Sequence, residues 1–238
     1  MTSGSSNVTS SNRTPVVIFG AGGLAREVAW VLGMPGAVLR LPDGQQLLYG
    51  QVVGHLDDRE EMHGTDVNER PVLGGSEWLA DHPGHAVVVA VGNPDARRGI
   101  VERLRALGAA FPSILAPDTF IGDKSTISEG VIALPGVIIT CNVNIGSFVL
   151  LNPHASISHD GEVGDFTSLG PGVSLAGNAR IGSGCDIGTN ASLIPGISIG
   201  SDVVIGAGAC VVRNLPDGVT AVGVPARVTS RLEMNQEF

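Results

Sequence analysis

Two adjacent side chains, His159 and Asp160, have the chemistry to move a proton, and they close the segment Leu-Asn-Pro-His-Ala-Ser-Ile-Ser-His-Asp that begins at Leu151. Imidazole titrates near neutral pH without help, so His159 is a candidate general base. Asp160 can hold the ring by charge or by a hydrogen bond and make it a better proton acceptor. A base of this kind, together with a donor for a developing oxyanion, is what transfer of an acyl group from a thioester to an amine or hydroxyl requires. Both residues would serve equally as solvated turn residues, and His154, five positions earlier, fits either role.

A second set of residues suits a phosphate. Val16-Val17-Ile18-Phe19 is a buried-strand run, followed by Gly20-Ala21-Gly22-Gly23 and then Leu24, Val28, Val31 and Leu32 at helical spacing. Strand, glycine turn and helix with Gly20-x-Gly22-x-x-Ala25 can bring backbone N–H groups and a helix N-terminus against a phosphate. The same glycines would serve a tight turn that holds no ligand. A strand from Gln51 ends in Asp57-Asp58, and the apolar run from Ala86 ends in Gly92-Asn93, where Asn93 can cap a helix with Pro94 in its first position. Strands alternating with helices predict a small parallel α/β domain whose crevice lies at the strand C-termini, where all three sets fall. His55, His63, His82 and His85 read as surface residues, and no element is legible between Gly33 and Gln51.

The element that must position His159 is a repeat. Every sixth residue from Ile121 to Val211 is Ile, Leu, Val or Ala, a small or β-branched residue stands two positions before most of them, and glycine often follows. A strict short period predicts a parallel β-helix, in which each hexad makes a short strand and a turn. An antiparallel sandwich would not keep so constant a spacing. Residues 1–14 read as a disordered tail, 15–112 as the α/β domain, 113–213 as the β-helix and 214–238 as a C-terminal extension.

The order of these parts resembles the hexapeptide-repeat sugar O- and N-acyltransferases related to sialic acid O-acetyltransferase, including the bacillosamine-pathway enzymes that acetylate a UDP-linked 4-amino sugar. The resemblance rests on Gly-Ala-Gly-Gly, Leu-Asp-Asp and Val-Gly-Asn in the α/β half, the stretch from Leu151 to Gly177, and the closing Gly-Val-Pro-Ala. It implies a Rossmann-like nucleotide-sugar-binding domain followed by a left-handed β-helix of three hexads per coil. Residues i and i+18 are then neighbours on successive coils, about 4.8 Å apart, which brings Gly177 to His159 and aligns Asn142, Asp160 and Asn178. It further implies His159 as base, Asp160 as its support and Gly177 as oxyanion donor. Acetyl-CoA would lie along the groove between neighbouring β-helices against Ser168, Thr189 and Ala207, where the best-known members carry histidine in place of Ser168 and isoleucine in place of Thr189. The nucleotide sugar would contact Gly22, Gly23, Leu24, Asp57, Asp58 and Gly92, with Leu24 replacing a common histidine. A homotrimer with active sites between subunits follows from the same resemblance.

Other classes fit less well. A γ-carbonic-anhydrase-type hydratase needs three histidine ligands where this repeat offers two, so no metal is expected. A nicotinamide-dependent oxidoreductase would leave the repeat unexplained, and a scaffold without catalysis remains compatible with the fold. The formal net charge of −9 opposes binding to nucleic acid or anionic membrane, and no eighteen-residue apolar run is present. Three cysteines without a C-x-x-C pair suit a reducing cytoplasm.

Overall fold

A computed structural model describes residues 15–40, 46–48 and 51–231. The predicted N-terminal tail and the end of the C-terminal extension lie outside the described residues. The first half holds β1 (Pro15–Phe19), α1 (Gly23–Leu32), β2 (Val38–Arg40), β3 (Gln46–Leu48), β4 (Gln51–Leu56), β5 (Asp66–Val67), β6 (Arg70–Gly74), α2 (Trp78–Asp81), β7 (Ala86–Val89) and α3 (Pro94–Ala106). One sheet runs in the order β5-β6-β4-β1-β7, with β6, β4, β1 and β7 mutually parallel. The apolar run of β1 is continuous because both faces are covered. Val16 and Ile18 join the core on the α1 side, whereas Val17 and Phe19 join the core on the α3 side. Asn93 caps α3 by accepting from the Ala96 N–H at 2.9 Å, with Pro94 in the first helical position.

From Ser113 each hexad gives a two- or three-residue strand, and successive coils pair in parallel at a separation of 18, as in Ile132↔Leu150, Ile138↔Ser156 and Asn144↔Glu162. The strands form three walls around one core, with the sixth-residue aliphatics inward. Val219–Val222 adds one more parallel strand, and Arg227–Arg231 folds back on it.

One expectation needs correction, and one surface that a bare rod would leave open is covered. The span after Gly33 is not featureless: β2 pairs antiparallel with Ser113–Leu115 and extends a β-helix wall. Three residues are too short for periodicity to reveal, and their partner is remote in sequence. Leu150, which a bare rod would expose, is only 4% exposed. It joins Ile114, Ile132 and Leu134 beneath α1 and β1, so the α/β domain covers the lower part of that wall.

α3 fastens the other side of the joint. Arg97, 2% exposed, donates to the carbonyls of Val91 and Gly92 at 2.7 and 2.9 Å and to those of Phe148 and Phe166 at 3.0 and 2.6 Å. A fifth bond reaches Ser168 Oγ at 3.0 Å. Burial pulls the guanidinium pKa down to about 10, which still leaves it charged at neutral pH. Phe111, Phe148 and Phe166 pack in sequence beside it, with Arg98 over Phe166 and Arg105 over Phe148.

Replacing Arg97 by Met leaves buried carbonyls without donors and should cost about 3–5 kcal/mol, or about 6–20 °C in Tm for a chain of this size. Arg98→Ala removes two solvent-screened ion pairs, at 3.6 Å to Asp95 and 3.8 Å to Asp202, and the stacking of the guanidinium on Phe166, and should cost about 1–2 kcal/mol, less than Arg97→Met. Thermal melts at one protein concentration compare the two; equal small losses would refute the ranking.

Candidate active site

His159 and Asp160 occupy a corner turn between the strands Ser156–Ile157 and Glu162–Val163. His159 Nδ1 lies 2.8 Å from Asp160 Oδ2. Because a carboxylate only accepts, Nδ1 carries a proton, and in the neutral ring the lone pair is therefore at Nε2. Hydrogen bonds from His159 first and Asn142 second hold the Asp160 carboxyl below the usual carboxylate range. Asn142 Nδ2 donates to Asp160 Oδ1 at 3.1 Å.

Gly177 is one coil away, and the Asn178 N–H donates to the His159 carbonyl at 2.9 Å. A Cβ on Gly177 would stand 2.4 Å from His159 Nε2, so only glycine leaves room for the ring there. Among the described residues the Gly177 N–H has no hydrogen-bond partner. Asn142, Asp160 and Asn178 form the adjoining column, with φ of 57°, 59° and 61°. Asn and Asp tolerate this left-handed conformation better than other side chains. The corner thus offers an oriented proton acceptor and an uncommitted backbone donor side by side. The His159 side chain is 57% exposed, so the corner by itself encloses nothing.

Thr189 and Ala207 are also neighbours on successive coils, both exposed, and the Gly208 N–H donates to the Thr189 carbonyl at 2.8 Å. They stand on a different corner of the prism from His159. His154 shares that second corner and makes no side-chain hydrogen bond among the described residues. Ser168 departs from the expected groove contact. It is 4% exposed, its hydroxyl donates to the Gly92 carbonyl at 2.9 Å, and it accepts from Arg97. Its side chain belongs to the joint between the two halves.

The phosphate-type residues gather at the carboxyl ends of β4, β1 and β7. Gly20, at φ 119°, sits where a Cβ would meet the Ala90 carbonyl oxygen at 2.8 Å. The Ala21 N–H donates to Asp57 Oδ2 at 3.0 Å, and Asp57 also takes Arg59 Nε at 2.8 Å and Arg59 NH2 at 2.9 Å. The Arg59 side chain is the main reason that the Asp57 carboxyl lies below its usual range. Asp57 therefore ties the glycine turn to a cation. Asp58 accepts from the Ser76 N–H and hydroxyl at 3.1 Å each and pairs with Arg103. Gly22 and Gly23 are exposed, and a Cβ on Gly22 would meet nothing within 4 Å. Leu24 is half-buried against the α1-side core.

His55 is not a surface residue. It is fully buried, and its Nδ1 lies 2.9 Å from the Gly20 carbonyl oxygen, beneath the glycine turn. His63 is half-buried with Nε2 2.8 Å from the Asp57 carbonyl oxygen, and His82 stacks on Trp78. Neither Arg59 nor Arg97 was singled out by sequence, because an isolated arginine in a polar segment carries no pattern. Among the described residues no group of three His, Cys, Asp or Glu could hold a metal, and no helix is long and apolar enough to cross a membrane.

Comparison with known proteins gives this geometry a family. Residues 15–104 match the model of the PglD N-terminal domain. A variant of perosamine N-acetyltransferase from Caulobacter crescentus, solved with CoA and GDP-perosamine, is 30% identical, with 91% of this chain and 97% of that one covered and a TM-score of 0.80. The acetyltransferase domain of PglB from Neisseria gonorrhoeae is 30% identical over 91% of this chain and 100% of that one, with a TM-score of 0.78. WeeI from Acinetobacter baumannii is 27% identical over 90% and 99%, with a TM-score of 0.77. No curated protein sequence matches. The shared two-part architecture and near-complete coverage of both chains mean that this chain belongs to the hexapeptide-repeat sugar N-acetyltransferase family.

Proposed function

We propose that the protein transfers an acetyl group from acetyl-CoA to the amine of a nucleotide-linked amino sugar, with His159 as general base. The observation that carries this reading is the corner itself: Nδ1 of His159 is held by Asp160 at 2.8 Å while Nε2 lies against the backbone of Gly177, whose N–H has no hydrogen-bond partner among the described residues. Nε2 accepts the proton that the amine loses as it attacks the thioester carbonyl carbon. The Gly177 N–H donates to the oxygen on which negative charge develops. Asp160 keeps the ring in the productive tautomer and offsets the positive charge that the imidazole gains. Acetyl-CoA is the co-substrate that supplies the thioester, and the proton held at Nε2 goes to the departing thiolate.

Gly22, Gly23, Leu24, Asp57, Asp58 and Gly92 would receive the nucleotide sugar. The exposed glycines at the start of α1 offer backbone N–H groups to a diphosphate, and Arg59 provides a local cation in a chain of net charge −9. CoA and GDP-perosamine in the Caulobacter enzyme support this pairing of substrates. Thr189 and Ala207 are the donor contacts we retain, with Ser168 acting through the joint instead.

A homotrimer is part of the proposal. His159 stands on one corner and Thr189 and Ala207 on another, so one rod cannot bring base and donor contacts together, whereas parallel rods related by a three-fold axis would face one corner with the other. Phe120 and Ile138 leave exposed apolar surface on the wall leading to the His159 corner. The assembly should have a mass near three times 24.3 kDa by light scattering. Mixed trimers of His159→Ala and Ala207→Trp should regain activity through hybrid sites, and a fully active monomer would refute the arrangement.

The substrate reading is tested by incubating acetyl-CoA with GDP-, UDP- and dTDP-linked amino sugars and their hydroxyl counterparts, following thiol release and product mass. Acetylated amino sugar is the expected product. Transfer only to a hydroxyl would convert the reading to O-acetylation, and no thiol release with any acceptor would overturn it. His159→Ala should fold normally and lose about 10²- to 10⁴-fold in kcat, with Asp160→Asn losing less. A kcat within about threefold of wild type would remove His159 as the base. Gly177→Ala should retain its thermal stability, since the ring can swing away from the new methyl, yet lose about 10²-fold in kcat by displacing the imidazole. Undiminished kcat would exclude close approach of His159 and Gly177 during catalysis.

A further inference from the structure

We infer that Asn142 is a positioning residue of the acyl-transfer site, orienting the carboxylate that orients the base. This inference rests on the reading of His159 and Asp160 as base and support. Asn142 lies one coil below Asp160, and its Nδ2 is 3.1 Å from Asp160 Oδ1, the oxygen that His159 leaves free. A carboxylate only accepts, so the NH2 end of the carboxamide must face it. The chain His159 Nδ1, Asp160 carboxylate, Asn142 Nδ2 therefore runs across two coils with both carboxylate oxygens engaged.

Such a second anchor is needed here. The His159 and Asp160 side chains are 57% and 47% exposed, and both hang from adjacent residues of a single turn. With one hydrogen bond between them, the pair could rotate together without losing it. A bond from another coil removes that freedom, because the spacing of the coils is fixed by the Asp160 N–H donating to the Cys141 carbonyl at 3.1 Å. Among the described residues no group other than His159 and Asn142 donates to the Asp160 carboxylate from a side chain. The neutrality of Asn142 matters as well. A lysine or arginine there would orient the carboxylate but cancel the charge that must offset the imidazolium formed during proton transfer. A carboxamide orients it and leaves the charge intact. The other titratable side chains on this corner are Asp123, Lys124 and Cys141, on the coils below; none bonds Asp160. The lowered pKa of Asp160, with Asn142 second among its causes, agrees with the geometry.

Asn142→Gly and Asn142→Asp form the test, since at φ 57° glycine and aspartate are both accommodated while alanine would add backbone strain. Glycine removes the side chain; aspartate keeps its shape but replaces the donor with a second negative charge. Carboxyl-carbon NMR titration of Asp160 should show its midpoint moving upward in both variants, and imidazole nitrogen shifts should show a smaller fraction of the Nδ1–H tautomer of His159 in Asn142→Gly. In acetyl transfer, Asn142→Gly should lose about tenfold in kcat, with KM for both substrates within about twofold of wild type. An unchanged Asp160 midpoint, tautomer fraction and kcat in Asn142→Gly would overturn the inference. The NMR readouts need no substrate, so they decide the role of Asn142 even if no acceptor is acetylated, an outcome that would count against the proposed reaction instead.

Discussion

A single buried guanidinium holds the two halves of this protein in register. Arg97 spends its donors on four backbone carbonyls and one hydroxyl, two of the carbonyls at the end of β7 and two in β-helix turns. Hydrophobic contact between α3 and the aromatic stack would allow the halves to slide, because it is not directional. Five hydrogen bonds in one fork allow no such movement without leaving buried acceptors unpaired. The arrangement connects directly to the crevice at the strand ends of the α/β domain, since the Gly92 carbonyl accepts from both Arg97 and Ser168. A residue at the rim of that crevice is thereby tied to the rod that carries His159.

The rod contributes a different kind of precision. Successive coils are pinned by backbone hydrogen bonds at every hexad, so any residue and its neighbour 18 positions on keep a fixed separation. Side chains on a corner column inherit that separation without a cavity built around them. His159, Gly177, Asp160 and Asn142 come from three coils and two adjoining corner columns, with Asn142, Asp160 and His159 joined by hydrogen bonds and Gly177 packed against the imidazole. The same regularity leaves the corner open, so that His159 and the Gly177 N–H have no enclosing wall among the described residues.

The sequence alone determined the β-helix, the α/β order and the His159 corner. A hexad repeat specifies which residues point inward, because a core of stacked coils tolerates only small and aliphatic groups there, and once three hexads make a coil the i+18 neighbours follow. Strand-end glycines and Asn93-Pro94 were equally legible, since turns and caps depend on local backbone chemistry. Only the tertiary structure decided which outward-facing residues are covered. Leu150 and Ser168 occupy equivalent outer positions on one wall, and both are buried because the α/β domain docks there. His55 is buried because β4 lies inside the sheet, between β1 and β6, with its ring under the glycine turn. Arg97 gives no sign in the sequence that its partners are 51 to 71 residues away. Period and local chemistry fix the inside of a repeat; its outside depends on where the rest of the chain comes to lie.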